Sequence, residues 1–476
     1  MSDDLIYLSA TEALAGFAAK TLSPVELLLA QIARAAATRD TVNAFTFTHF
    51  DSALEQARAS EARWARGEPR GRLDGLAVAI KDESNVEGMP SSSGSLILKD
   101  HVADHTSPVN ARILAEGAIL HARSATPEFC CAGYTWSRLW GVTRNPWNLA
   151  LTPGGSSGGS AAALALGSTA LATGSDIGGS IRIPASCCGV VGFKPPYGRN
   201  PDDIPFNLDF YNHVGPMGRS SADAILLQNI MCGPSPQDIA AIHPKLTLPT
   251  AYPDLKGMRI AVSPNLDVFR VRADVAANTR AAVDDLRALG AEAEEVEIGW
   301  GPEVPEAALG YLTHLFGGAI SEALDTNADL MTTYARAFAQ SSQHSTARDF
   351  VRTLTVAGEA YLKLGALFER FDALVCPTTG LPAVPAEFDQ SRDRIEIEGE
   401  EVSPMLGWLL TTPFNMLSRC PALSVPSGLG AEGSPTGLQI VAPPYRDETA
   451  FRVATAFEAS RPGGGWFRDA ASRPPT

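Results

Sequence analysis

The sequence of 476 residues has little lysine and no cysteine pattern that suggests a disulfide framework or a zinc site. Only seven of its 38 basic residues are lysines, so a lysine inside an apolar segment is unusual in this chain. The seven cysteines are odd in number and form no C-x-x-C pair, which indicates reduced thiols and a cytoplasmic protein. No run of ~18 apolar residues predicts a membrane span, and the acidic start lacks the basic region of a secretory signal.

Charged residues are also scarce, at 19% of the chain, and their balance is acidic. The 38 basic and 53 acidic residues give a formal net charge of −15. Such a surface disfavours nucleic acid and anionic membranes as partners. The 45% of hydrophobic residues is typical of a globular protein with a large core.

Apolar segments of strand length alternate with helical segments along most of the chain. This alternation predicts an α/β fold, a single large domain over 1–476 with a central mixed, largely parallel β-sheet covered by helices. Strands are predicted over 73–81, 118–121, 258–263, 372–377, 422–426 and 437–442, and helices over 5–66, 108–117, 275–289, 301–370 and 447–459.

Three features between residues 75 and 200 could carry chemistry. Lys81 ends an apolar strand and is followed by Asp82; a lysine there is commonly a snorkelling side chain. The segment Gly154-Gly-Ser-Ser-Gly-Gly-Ser160 is a turn beside an alanine-rich helix. The segment Gly174-Ser-Asp-Ile-Gly-Gly-Ser180 is a second turn, whose consecutive backbone N–H groups can hold an anion.

Several familiar motifs occur here without the residues that must accompany them. Val78-Ala-Ile-Lys81 matches a kinase strand, but the chain has no H-R-D or D-F-G. Gly154 to Gly158 spells G-x-S-x-G, the nucleophile elbow of α/β-hydrolases, which also requires an acid and a histidine downstream. The later histidines, at 213, 243, 314 and 344, lie in no evident catalytic setting. Serines and one lysine remain, and a buried lysine can act as a base because burial disfavours its charged form.

The same segments resemble the amidase signature family in order and spacing. The resemblance is dense over 70–220 and thins over 220–370. A departure at 121–125, His-Ala-Arg-Ser-Ala, leaves the pocket wall there uncertain. The resemblance divides the domain into a helical N-terminal segment (1–66), a signature core (70–220) and a variable substrate-pocket segment (290–412). The motifs that carry it are Gly75–Asp82, Gly94-Ser95, Pro127–Phe129, Gly141–Trp147, Gly154–Ser160, Gly174–Gly198, Pro413–Asn415, Pro421–Pro426 and Gly437–Ile440.

The resemblance implies a Ser–Ser–Lys triad that hydrolyses amides through an acyl-enzyme. Ser180 matches the nucleophile, Ser156 the bridging serine, which follows a cis peptide bond, and Lys81 the base. Supporting roles are implied for Asp176 and Arg182, read as an ion pair that fixes the loop, and for Ser157. The implied oxyanion hole consists of the N–H groups of Ile177, Gly178, Gly179 and Ser180. The implied substrate contacts are Cys131, Tyr134 and Gly155.

This chemistry requires no metal or organic cofactor, and the expected partner is a small-molecule amide, with a homodimer as the candidate assembly. Apolar or aryl amides are the expected substrates, with esters and carbamates as side substrates. Two alternatives stay open: the A subunit of a glutamyl-tRNA amidotransferase, and a non-catalytic binding scaffold. The pocket is expected to draw on 130–136, 201–213, 305–350 and 405–418, which supply Tyr134, Trp136, Phe206, Phe210, Tyr211, Phe316, Trp408 and Phe414.

Overall fold

A single mixed sheet runs through the molecule and is built from strands spread over most of the chain. The structure, a computed structural model, describes residues 3–461, 466–468 and 473–475. Eleven strands of these residues form the sheet, in the order β1-β3-β2-β6-β8-β7-β14-β15-β11-β9-β10. The strands are β1 (Phe45–Thr48), β2 (Ala77–Lys81), β3 (Ile119–Ser124), β4 (Trp136–Ser137), β5 (Gly141–Val142), β6 (Leu171–Ser175), β7 (Val191–Lys194), β8 (Val214–Gly218), β9 (Arg259–Val262), β10 (Glu292–Glu295), β11 (Ala373–Pro377), β12 (Ile395–Ile397), β13 (Glu400–Val402), β14 (Ala422–Leu429) and β15 (Pro435–Val441).

Helices cover the sheet, and the longest of them, of 22 residues, spans Ala347–Phe368. A π-helical turn, Thr313–Gly317, joins α10 (Glu303–Leu312) to α11 (Gly318–Asn327) without interrupting the helical path. No helix in the described ranges combines the length and apolar composition that a membrane crossing requires. The helices are α1 (Asp3–Ile6), α2 (Ala10–Ala19), α3 (Pro24–Thr38), α4 (Phe50–Arg66), α5 (Pro108–Ala115), α6 (Gly158–Leu166), α7 (Arg182–Cys188), α8 (Ser221–Met231), α9 (Ala273–Ala288), α10 (Glu303–Leu312), α11 (Gly318–Asn327), α12 (Thr333–Ser342), α13 (Ala347–Phe368), α14 (Pro413–Met416) and α15 (Asp447–Ala459).

The α/β fold and the mixed central sheet are confirmed, and the parallel pairing is concentrated in two groups of strands. β2 lies parallel between β3 and β6, and β9 lies parallel between β10 and β11. The strands between these groups pair antiparallel. The hairpin of β14 and β15 explains part of this arrangement, because a short turn can join only antiparallel neighbours.

Some of the strands that the sequence did not predict contain glycine or proline, and one lies in a segment expected to be helical. The segment 1–66 is not helical throughout, because Phe45–Thr48 pairs with β3 at the edge of the sheet. Both β6 and β8 contain glycine, and β8 also contains proline; these residues commonly mark turns. The finer division into 1–66, 70–220 and 290–412 stays a prediction.

Parallel pairing brings the ends of β2 and β6 to the same edge of the sheet. All five residues of β2 are buried, and Ala79 pairs with Ala172. Lys81 at the end of β2 therefore lies beside Ser175 at the end of β6. In sheets of this kind ligands bind outside the carboxyl ends of the strands, which makes this edge a candidate location for a site.

The small residues of α6 allow this helix to pack closely against the sheet and the N-terminal segment. Every residue of α6 is buried. A Cβ atom at Gly159 would lie 2.2 Å from the backbone nitrogen of Ala125 and 2.5 Å from the carbonyl oxygen of Ala44. Glycine is required there because backbone atoms, unlike a flexible side chain, cannot move away.

We expect Gly159→Ala to destabilise the protein by about 1–3 kcal/mol or more, the usual cost of overpacking a close-packed interior. Gly358→Ala is the matched control, since a Cβ at this position of α13 meets no atom within 4 Å. Alanine should stabilise this position by roughly 0.5–1 kcal/mol. Urea unfolding of both variants measures the difference, and equal stabilities would contradict the packing described for α6.

Candidate active site

Lys81 is a fully buried lysine whose amine is held by three side chains. Its side chain is only 1% exposed. The Nζ atom lies 2.7 Å from Oγ of Ser156 and 2.8 Å from Oγ of Ser175. It also lies 3.2 Å from Oε1 of Glu83. A lysine with these contacts is not the snorkelling side chain that a strand end commonly carries.

The first glycine/serine turn places Ser156 against Lys81. The peptide bond between Gly155 and Ser156 is cis, as the resemblance implies. Gly154 has a φ of +79°, in the left-handed region that favours glycine. A Cβ at Gly155 would lie 2.4 Å from the carbonyl oxygen of Tyr134, so this turn passes directly over backbone and tolerates no larger residue.

The second turn is folded around the buried carboxylate of Asp176. Its oxygens accept hydrogen bonds from the backbone N–H groups of Gly179, at 2.8 Å, and Ile181, at 3.1 Å. Both also bind the Arg182 guanidinium, at 2.8 and 3.0 Å. Burial alone would raise the pKa of Asp176, but the charge and hydrogen bonds of Arg182 hold this pKa well below its ordinary value.

Arg182 joins this turn to the C-terminal part of the chain. Its Nη1 donates to the Thr411 carbonyl at 2.9 Å and to Oε1 of Gln439 at 2.6 Å, and its Nη2 donates to Oδ1 of Asn415 at 2.6 Å. The ion pair with Asp176 expected from the sequence is present. The contacts of Asn415 and Gln439 were not predicted, although both residues lie in motifs that carry the resemblance.

Ser180 follows this turn and borders a cavity. It is 6% exposed, and its hydroxyl has no hydrogen-bond partner among the described residues. Its carbonyl accepts a bond from the Ser157 N–H at 3.1 Å, which docks one turn on the other. The Ser157 hydroxyl is directed to the Ser175 carbonyl, at 3.4 Å.

The backbone N–H groups of the second turn differ in their availability. In the part of the chain that the structure describes, those of Ile177, Gly178 and Ser180 have no acceptor. The N–H of Gly179 is bound to Asp176. The Gly179 N–H, one of the four expected from the sequence to form the oxyanion hole, is therefore engaged by the carboxylate that shapes the turn, and the oxyanion role of this turn stays a prediction.

The cavity beside Ser180 is almost entirely apolar, and none of its lining residues is charged. Leu312 and Phe316 enter it from the π-helical turn and the helix before it; such turns often occur at functional sites. The lining residues are Cys130, Cys131, Ala132, Gly133, Ile177, Gly178, Ser180, Ile183, Leu312, Phe316, Phe338, Gln390, Met405, Leu406 and Leu409.

Only part of the predicted substrate contacts lie at this cavity. Cys131 lines it, whereas Tyr134 and Gly155 are behind the wall. The Tyr134 hydroxyl accepts a bond from the Gln390 N–H at 3.1 Å, and Gly155 packs on the Tyr134 backbone. Of the eight aromatic residues expected near the pocket, only Phe316 lines the cavity. The segment 201–213 contributes none of its lining residues.

Several residues at the site were missed by the sequence analysis. Ser175 lies inside the second glycine/serine motif, and its position next to the carboxyl end of β2 could have indicated it. Glu83 contacts the Lys81 amine and directly follows the motif Gly75–Asp82, while Arg123 carries charge close to Glu83 and lies in the departure at 121–125. Phe338 lies in the segment 305–350 expected at the pocket, and Gln390 lies in the broader segment 290–412, but neither residue was singled out because both are outside those motifs.

The arrangement excludes the nucleophile elbow. Ser156 bonds to Lys81, and no histidine of the described ranges contacts either Ser156 or Ser180. His213 is buried, and burial lowers its pKa to about 3. Its Nδ1 lies 3.1 Å from the Asp176 carbonyl and its Nε2 3.3 Å from the Ser418 carbonyl, and the neutral ring can donate to one of the two. Within the described residues, no three His, Cys, Asp or Glu side chains are grouped to hold a metal ion.

Comparison with known proteins agrees with the geometry. The family model named Amidase matches residues 26–451. The chain is 35% identical over 467 residues to the acylamidase of Rhodococcus erythropolis, covering 96% of each protein. It is 33% identical over 478 residues to the A subunit of the glutamyl-tRNA(Gln) amidotransferase of Anaeromyxobacter sp. (strain K), again covering 96% of each. The crystal structure of a bacterial aryl acylamidase of the amidase signature enzymes matches with a TM-score of 0.89 at 29% identity, covering 96% of both chains.

We expect Asp176→Asn to cost about 3–5 kcal/mol of stability at neutral pH, because it leaves the Arg182 charge buried without its counterion. Glu387→Gln is the control. Glu387 forms an ion pair with Arg144, and its side chain is 69% exposed, so losing this pair should lower the stability by less than about 1 kcal/mol. Urea unfolding measures both.

The pH dependence of this difference gives a second check. Since the folded-state pKa of Asp176 is depressed, its contribution is fully present above the ordinary value and is lost only as pH falls through the folded-state pKa. The stability difference between the wild type and Asp176→Asn should therefore be equal at pH 7 and pH 5. A difference that shrinks at pH 5 would contradict the depressed pKa.

Proposed function

The chain belongs to the amidase family, and we propose that its amide hydrolysis is carried out by Ser180, Ser156 and Lys81 through an acyl-enzyme. One observation carries this proposal. The buried Lys81 amine is hydrogen-bonded to Ser156, on a turn docked against the turn that presents Ser180 to the apolar cavity. In the proposal Lys81 is the base, Ser156 the proton relay and Ser180 the nucleophile.

In the proposed first half-reaction, neutral Lys81 takes a proton from Ser156 as Ser156 takes one from Ser180. The Ser180 oxygen attacks the amide carbonyl and forms a C–O bond. The structure contains no hydrogen bond between Ser156 and Ser180. Such bonds are often long in the absence of substrate and shorten in the complex.

The negative charge that forms on the carbonyl oxygen requires hydrogen-bond donors at a fixed position. The N–H groups of Ile177, Gly178 and Ser180 are proposed for this role because they have no other acceptor among the described residues. Donors that are already oriented stabilise this charge without further rearrangement. Asp176 and Arg182 support them by fixing the turn, and Ser157 by joining the two turns.

The intermediate then breaks its C–N bond. Ser156 gives its proton to the departing nitrogen and takes one back from the Lys81 ammonium, so that both groups return to their starting state, and the acyl group stays on Ser180. In the second half-reaction water attacks this ester while the same relay removes its proton. The bond between the acyl carbon and the Ser180 oxygen then breaks, Ser156 returns a proton to Ser180 and recovers its own from Lys81, and the carboxylic acid is released. Each step uses only groups of this chain, the substrate and water.

The substrates proposed are amides with an apolar or aryl acyl or amine group. The cavity beside Ser180 has no charged lining residue, and burying an unpaired charge in it would be costly. Esters and carbamates are proposed as side substrates because they present the same carbonyl. The similarity to an acylamidase and to an aryl acylamidase supports this choice.

A second candidate is the A-type chain of an amidotransferase, favoured by the 33% identity to such a protein. Glutamine carries a free ammonium and a carboxylate, and no lining residue of the cavity could act as a counterion for either group. Copurification with a B-type subunit together with glutaminase activity would favour this candidate, and turnover of an aryl amide by the isolated chain would favour the first.

The compartment and assembly are also proposals. All seven cysteines are free and buried, which supports a reducing compartment such as the cytoplasm. A homodimer stays the candidate assembly, to be measured by light scattering.

Ser180→Ala should abolish hydrolysis of a p-nitroanilide while the protein stays folded, and a serine-directed fluorophosphonate should label Ser180 alone. Ser168→Ala is the control, because Ser168 is also buried but its hydroxyl has no partner within the described chain. This control should retain full activity and labelling. Labelling of Ser156 or Ser157 in place of Ser180 would refute the assignment of the nucleophile.

Ser156→Ala and Lys81→Ala should each lower kcat/KM for amides by about 10²–10⁴-fold, as expected for general acid–base groups. The loss should be smaller for activated esters with the same acyl group, because a phenoxide leaves without protonation whereas an amine does not. The measurement compares a matched amide and ester in the three proteins. Equal losses on both substrates would mean that Ser156 only holds the turn in shape.

A further inference from the structure

Glu83 is a contact of Lys81 that the proposed mechanism does not use. It lies two residues after Lys81, in a turn in which the Glu83 N–H donates to the Lys81 carbonyl at 2.8 Å. Its Oε1 lies 3.2 Å from the Lys81 amine, and its side chain is 22% exposed. The amine therefore has a serine relay on one side and a carboxylate on another.

The second oxygen of Glu83 is held by a thiol at the wall of the substrate cavity. The Cys130 Sγ donates to Oε2 of Glu83 at 2.6 Å, and burial raises the pKa of the Cys130 thiol to about 12. Because the thiol stays protonated, it acts as a permanent donor. The Glu83 carboxylate is thus fixed at both oxygens.

Glu83 remains ionised in this setting. Burial alone would raise its pKa, but the Lys81 ammonium and the hydrogen bonds that the carboxylate accepts hold the pKa below its ordinary value. Electrostatic coupling is reciprocal, so a carboxylate stabilised by an ammonium stabilises that ammonium in turn.

Other titratable and polar groups face Glu83 from neighbouring segments. Arg123 on β3 is buried and its pKa is lowered to about 10 by burial, so it remains charged. Burial raises the pKa of Asp202 to about 8, with Glu83 among the charges that add to this effect. Asp202 is therefore largely neutral at pH 7. Ser175 contributes a further neutral hydrogen-bond partner.

We propose that Glu83 is a positioning residue that holds the Lys81 amine toward Ser156 and stabilises the ammonium formed when Lys81 takes the serine proton. This inference rests on the proposed role of Lys81 as the base. The proton moves from the Ser156 oxygen to the Lys81 nitrogen lone pair, and Glu83 remains a carboxylate throughout. Because a neighbouring carboxylate favours the charged form of an amine, the charge of Glu83 also bears on how far activity extends into the acidic range.

The test is the pH profile of kcat/KM for an aryl amide in the wild type and in Glu83→Gln. Removing the negative charge should move the acidic limb to lower pH by about one unit or more, the usual size of a contact charge effect. The plateau at high pH should fall, because the ammonium formed in the reaction loses its counterion. Superimposable profiles would overturn the inference.

Two further variants make the result specific. Asp202→Asn replaces a facing carboxyl group that is largely neutral at pH 7 and does not contact Lys81, so its acidic limb should stay close to that of the wild type. A shift as large as that of Glu83→Gln would overturn the specific role of Glu83.

Glu83→Asp keeps the negative charge and should keep the acidic limb near its wild-type position. A limb shifted as far as in Glu83→Gln would count against the inference. If Glu83→Gln fails to fold, Glu83→Ala takes its place with the same expected shift.

Lys81→Ala separates the inference from the function on which it rests. If this variant retains wild-type activity, Lys81 is not the base and the proposed mechanism fails whatever Glu83 does. If it is inactive while the profile of Glu83→Gln is unchanged, the mechanism stands and only the role of Glu83 is refuted.

Discussion

The hydrogen bond between the buried Lys81 amine and Ser156 is the contact on which the site depends. A lysine buried to this degree is costly unless its amine is fully bonded, and its partners come from separate parts of the chain. Ser156 comes from the first turn, Ser175 from the end of β6, and Glu83 from the turn after β2. Meeting these contacts fixes the register of β2 against β6 and the position of α6.

The second constraint is the ion pair of Asp176 and Arg182, which acts on backbone as much as on charge. Asp176 accepts a hydrogen bond from the N–H of Gly179, whereas the N–H groups of Gly178 and Ser180 on either side have no acceptor among the described residues. Arg182 extends the same network to Asn415 and Gln439 in the last quarter of the chain. The turn that presents Ser180 is therefore rigid for electrostatic reasons, although its sequence is rich in glycine.

The sequence predicted the contacts that depend on local motifs and missed those that depend on the course of the chain. The segments carrying Lys81, Ser156 and Ser180 could be recognised because glycine and serine at fixed spacing are rare. The strands β6 and β8 could not, since their glycine and proline are typical of turns outside a sheet. Tyr134 was expected at the pocket as an aromatic residue of the segment 130–136, but its ring is buried among Trp136, Tyr334 and Phe388 and does not line the cavity. Gln390 and Phe338 reach the cavity only through tertiary structure, which no local pattern encodes.

The two sides of Ser180 differ in polarity. One side can bind an apolar part of the substrate, and the other holds the groups proposed to transfer protons. On one side lies the cavity of Leu312, Phe316 and Leu409, which has no charged lining residue. On the other lie the Lys81 amine and the Glu83 carboxylate, 3.2 Å apart and hydrogen-bonded to their neighbours. Low polarity strengthens every electrostatic interaction nearby, so an apolar acyl group that fills the cavity would also strengthen the effect of the proposed oxyanion donors. Substrate binding and charge stabilisation are thereby coupled through the same wall, of which Ile177 and Gly178 form part.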